Sequence, residues 1–151
     1  MDEKRIFDCQ QAIDEIRKRF AFDFVSLSVE NVGEDLRVIR WQYASGNVND
    51  RYKRIVLYSG KGIAGIVYKT GKPMLIVDVE KEVPAGDRIS YPILNAERLK
   101  SVGAIPLWKN KRVAGVLLIG SRHASGVSEK GFEELQSYLS SGFGPFQTKE
   151  L

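Results

Sequence analysis

Over residues 3–20, apolar side chains recur at three- and four-residue steps, at Ile6, Cys9, Ile13, Ile16 and Phe20. That spacing predicts an amphipathic helix, with Cys9 as a small core residue on its stripe. The period then drops to two. Val25, Leu27 and Val29 alternate with Ser26, Ser28 and Glu30, which predicts a strand over residues 22–30. Val32-Gly33-Glu34-Asp35 reads as a turn, and residues 36–44 as the returning strand of a hairpin. On that strand Ile39, Trp41 and Tyr43 are expected on one face, and Val38, Arg40 and Gln42 on the other.

Residues 45–60 have little periodicity and read as a loop. Gly60-Lys61-Gly62-Ile63-Ala64-Gly65 opens a short helix, which Gly71 closes with a left-handed cap before Pro73. Residues 74–77 predict a buried strand. Residues 78–97 form a long connection with Pro84, Gly86, Asp87 and Pro92, broken by a short helix near 94–99. Connections of that length are often binding loops or lids.

Residues 101–108 and 112–121 make the strongest hairpin pattern, turning at Lys109-Asn110-Lys111. Residues 113–119 are apolar on both faces, so this strand should lie centrally with both sides covered. Pro106 is expected at a bulge or an unpaired position. A last helix starts at the cap Ser128, with Phe132, Leu135, Leu139 and Phe143 as its apolar stripe. The whole predicts one α+β domain over residues 1–151, built on a central antiparallel sheet. The N- and C-terminal helices cover one face, and a ligand pocket lies under the short helix and long loop on the other.

Composition narrows the chemistry. With one Cys and one His in 151 residues, most metal sites, His-dependent triads and two-thiol mechanisms are excluded, which favours a binding domain over an enzyme. The lone Cys9 fits a reducing cytosol, and neither a signal peptide nor a transmembrane run is expected. The net charge of +4 is unevenly spread: residues 61–125 hold 11 basic and 5 acidic side chains, a difference of +6. Those basic residues are mostly single, without the basic stripe and interleaved aromatics of a nucleic-acid binder, so the expected effect is mild attraction of small anions.

Three candidates remain. The glycine-rich segment lacks the Gly-Lys-Ser/Thr ending of a P-loop and a βαβ setting, but its helix start offers unpaired amides near Ile63 and Ala64 to an anion. The same glycines also suit a tight turn and close packing with no ligand at all. Trp41 brings an indole N–H and a flat face, either for a ligand or for a backbone carbonyl in the core. In the long loop Tyr91, Pro92 and Ile93 are placed to close a pocket. His123 reads as an exposed loop residue, and Asp78, Glu80, Glu82 and Asp87 as a solvated strand end.

The run Gly60–Gly65 through Thr70-Gly71-Lys72-Pro73-Met74-Leu75-Ile76-Val77, with Ser101–Leu107 and Val113–Leu117, resembles a GAF domain. Within that family the chain resembles the free-standing nitrate receptors that work beside an oxygen-sensing histidine kinase in Firmicute bacteria. The resemblance implies a closed nitrate pocket formed by Trp41, by the helix-start residues Ile63 and Ala64, and by Ile93, with Tyr91 and Pro92 matching the loop. It implies a cytoplasmic receptor that binds nitrate, needs no cofactor, and modulates a sensor histidine kinase. Other readings are a GAF-type free methionine-sulfoxide reductase, disfavoured by the single Cys, a GAF module for another small ligand such as a cyclic nucleotide or bilin, and a homodimer joined through the terminal helices.

Overall fold

The structure is a computed structural model, and it describes residues 7–29 and 38–149. The first helix, α1 (Cys9–Phe20), is shorter than the periodicity alone predicts, because the Asp8 carboxylate accepts from the Gln11 amide and caps it there. Ile6 and the predicted turn at 32–35 lie outside the described residues. Among the described residues five strands form the sheet, β1 (Phe24–Val29), β2 (Tyr43–Ser45), β3 (Met74–Ile76), β4 (Ser101–Lys109) and β5 (Arg112–Ser121), all pairing antiparallel in the order β2-β1-β5-β4-β3.

β5 is central, as its doubly apolar pattern demands. Val116 and Leu118 face one buried cluster and Leu117 and Ile119 the other. The hairpin between β4 and β5 turns on Asn110 and Lys111 alone, both at positive φ (55° and 65°), which matches the right-handed twist of the strands it joins. Pro106 is paired with Val116, beyond the end of β3, and the irregularity falls one residue later, between Leu107 and Trp108. β3 is an edge strand with only Ile76 buried, so the expectation of a buried strand there is corrected.

One cluster holds Ile13 and Ile16 of α1 against Val25, Leu27, Ile105 and Leu107. It also takes Phe132 and Leu135 of the last helix, α5 (Glu129–Tyr138), with Leu139 and Phe143 just beyond it. The aromatic stripe of α5 is therefore spent on its own sheet. The opposite face is covered by α2 (Gly62–Thr70) and by the 78–97 segment. That segment is largely helical rather than a loop: α3 (Val79–Glu82), a 3-10 turn (Ala85–Ser90) and α4 (Pro92–Ala96). Each of these is too short to leave a periodic signature.

The returning strand departs furthest from expectation. Ile39 and Trp41 belong to the cluster under α2, whereas Tyr43 packs with the terminal helices. The face switches at Gln42, whose amide donates to the carbonyl of Leu27 (3.0 Å), the residue already paired with Tyr43. Two residues opposite one constitute a β-bulge, and the predicted common face is lost there.

Candidate functional site

Glycines at the start of α2 set the local geometry. Gly62 has φ +68°, and a side chain at Gly65 would collide with the Tyr58 carbonyl. Both are thus required by the chain's own packing, which is the turn-and-packing role rather than close approach of a ligand. Gly71 ends the helix at φ +67°, its amide donating to the Val67 carbonyl (2.8 Å), as anticipated.

The start of α2 is left open. Lys61 occupies the N-cap with extended backbone and supplies no side-chain acceptor. The amides of Gly62, Ile63 and Ala64 have no acceptor within the helix and lie at the positive end of its dipole. Tyr91 likewise gives no side-chain cap to α4, where Ile93 is the second residue. By contrast Asp8, Asp78 and Ser128 all cap their helices through side chains.

Trp41, Ile63, Ala64 and Ile93 come together in one buried cluster, each no more than 3% exposed. Among the described residues the Trp41 indole N–H has no hydrogen-bond partner. An unsatisfied buried donor costs about 1–3 kcal/mol, so its presence in this cluster requires an explanation. Tyr91 and Pro92 are only partly buried. They line the wall of a surface cleft of about 390 Å³, together with Gly60, Lys61 and Gly62, at the outer edge of the same elements. The six predicted residues therefore divide into a buried four and two at a surface cleft.

Two residues absent from the sequence reading fasten this layer. Glu97, fully buried at the end of the 78–97 segment, accepts from Arg122 (2.6 Å) and from the Val48 amide (2.9 Å) through Oε1. Its Oε2 has no partner among the described residues. Arg122, the residue after β5, also donates to the carbonyls of Glu97 and Gly46. The guanidinium thus ties the segment to the edge of the sheet. Nothing in the chain announces the pairing, because 25 residues separate two ordinary charges.

Other candidates are accounted for locally. Asp78 caps α3, and Glu82 accepts from the Asp78 amide. Lys100 donates to Glu80 (2.6 Å), and this bond holds the exposed Glu80 carboxyl below its usual range. His123 is exposed. Cys9 lies across the sheet from Trp41, partly buried beside Tyr43, and desolvation raises its thiol above the usual value, which suppresses the thiolate. Among the described residues no helix is long and apolar enough to cross a membrane.

Comparison with known proteins agrees with this fold. The GAF domain family model matches residues 8–136. No curated protein matches the chain. Among solved structures, the NreA protein of Staphylococcus aureus mutated in its nitrate binding site shares 43% identity, with a TM-score of 0.72 over 76% of this chain and 83% of that one. A type II free methionine-R-sulfoxide reductase from Thermoplasma acidophilum shares 18% identity (TM-score 0.64, 85% of this chain and 82% of that one). The GAF domain of an Acinetobacter phosphoenolpyruvate-protein phosphotransferase shares 14% (TM-score 0.61, 83% and 71%). These last two show likeness of fold alone.

Proposed function

The chain belongs to the GAF domain family, and from that premise we propose that it is a nitrate receptor. The anion would lie in the buried cluster under α2, against the Trp41 indole N–H and the amides of Ile63, Ala64 and Ile93, with Tyr91 and Pro92 closing the mouth. One observation carries the reading: a fully buried indole donor without a partner, in the same apolar cluster as an uncapped helix start. The 43% identity to an NreA described by its nitrate binding site supports the choice of anion.

The chemistry suits nitrate. It is planar, singly charged and weakly hydrated, so a few neutral N–H donors replace its water. A doubly charged tetrahedral anion loses far more hydration on entry, and this cluster offers it no cation. Glu97, the one buried carboxylate among the described residues, is already paired with Arg122. The reductase alternative needs a reactive thiol near the ligand, whereas Cys9 packs on the opposite face. In the proposed role the receptor is cytoplasmic and alters a sensor histidine kinase according to whether the pocket is filled.

Calorimetric titration tests the assignment. Nitrate should give saturable heat at one site per chain, and sulfate none. No heat with millimolar nitrate refutes it.

A further inference from the structure

Trp41 reaches the proposed nitrate cluster only because the strand carrying it is irregular. β1 and β2 pair Val25 with Ser45, Ser26 with Ala44 and Leu27 with Tyr43. Regular pairing continued by two residues sets Trp41 opposite Val29. Directly paired residues share a face, and Val29 packs with the terminal helices. A regular strand therefore buries Trp41 against α1 and α5, on the wrong side of the sheet.

The bulge at Gln42 reverses that outcome, and the Gln42 side chain stabilises it. Its Nε2 donates to the Val29 carbonyl (2.6 Å), and its Oε1 accepts from the Val29 amide (2.8 Å). A primary amide presents one donor and one acceptor side by side, as a peptide group does. It thus satisfies both backbone groups of Val29 that main-chain pairing with residue 41 would otherwise occupy. With Val29 satisfied, the backbone of residues 39–41 leaves the ladder, and Ile39 pairs instead with Leu57 just ahead of α2 (2.8 and 2.9 Å). With that bridge Trp41 lies in the same buried cluster as Ile63 and Ala64 of α2.

We propose that Gln42 is a positioning residue for ligand recognition: its side-chain amide substitutes for a backbone pair on β1 and so turns the Trp41 indole into the nitrate cluster. The inference rests on the nitrate reading for its consequence, though not for its geometry. Since a one-residue change of register moves a side chain to the opposite face, the alternative to the bulge is loss of the indole from the site, not a small displacement.

The test uses Gln42→Ala, which removes both bonds, and Gln42→Glu, which keeps the length and the acceptor but cannot donate to Val29. Trp41 emission and acrylamide quenching are read in a Trp108→Phe background, Trp108 being the other tryptophan. Both variants should shift the emission and quenching of Trp41 without any ligand, and raise the nitrate dissociation constant by about tenfold or more, the scale of a hydrogen bond to a charged group. Adding Gln42→Ala to Trp41→Phe should weaken binding no further, because Gln42 acts through the indole. Unchanged Trp41 spectra in both variants, or losses that multiply in the double variant, overturn the proposal. Parent protein that ignores nitrate refutes the receptor reading alone, and the ligand-free spectra still decide the positioning.

Discussion

The two faces of the sheet are built from the same apolar residue types and are buried to similar depth, yet they treat their polar groups differently. Under the terminal helices, α1 and α5 start on Asp8 and Ser128, whose side chains accept from the first-turn amides. Under the middle segment, α2 starts on a lysine that caps nothing, and an indole N–H is buried with no acceptor. One face has spent its donors on holding the chain together. The other buries a side-chain donor that is left open, which is disadvantageous to folding and useful only if something else supplies the acceptor. Stability and binding should accordingly separate by face.

The largest effect expected is at the fastening of the open face. Arg122→Ala leaves the buried Glu97 carboxyl without its partner, and should cost about 3–5 kcal/mol in urea unfolding. Because Glu97 ends the segment that carries Ile93, nitrate affinity should fall with it. Adding Glu97→Gln should recover part of both losses. If stability falls while affinity holds, the segment does not depend on this anchor. Next in size, Leu135→Ala empties a fully buried position on the closed face, at about 2–5 kcal/mol. Its nitrate dissociation constant should match that of the parent whenever the protein is folded, and a parallel loss of affinity would erase the division between faces.

Trp41→Phe probes the open face with a smaller change. It keeps an aromatic filler but removes the orphaned donor, so the penalty of an unsatisfied N–H is relieved as packing is lost. The expected outcome is binding weakened by about ten- to hundredfold, with a smaller stability loss than Leu135→Ala produces. Equal nitrate affinity in Trp41→Phe removes the indole from the site.

Much of the closed face was legible in the chain, because its signals are local. The Ser128 cap, the hairpin turn around Asn110 and the doubly apolar β5 each depend on residues a few positions apart. The open face was legible in its parts. Trp41, Ile63, Ala64 and Ile93 were singled out by residue type and resemblance, and they do share one cluster. What brings them together was not legible. Ile39-Arg40-Trp41-Gln42-Tyr43 alternates as a regular strand does, and only the long-range bonds of Gln42 to Val29 show that the alternation breaks. Glu97 and Arg122 were hidden for the same reason, since a pairing across the fold leaves no mark on either neighbourhood. The short helices of 78–97 are set by packing and capping, with too few turns for periodicity to register.

The finest test exchanges the character of one face for that of the other at a single residue. Lys61 already has the extended backbone of an N-cap (φ −116°, ψ 134°) and lacks only the side-chain acceptor. In Lys61→Ser the hydroxyl can accept from the second or third amide of α2, which are those of Ile63 and Ala64. The helix start would then resemble those of α1 and α5, and the free protein should gain about 0.5–1 kcal/mol. The same amides are those assigned to nitrate, so its affinity should fall severalfold as the cap competes for them. Lys61→Ala removes the charge without adding an acceptor, and should weaken binding only through the loss of long-range attraction, an effect that added salt screens. A serine variant that is stabilised while binding nitrate as the alanine variant does would place the anion away from the α2 amides, and leave Trp41 as the open donor to be explained.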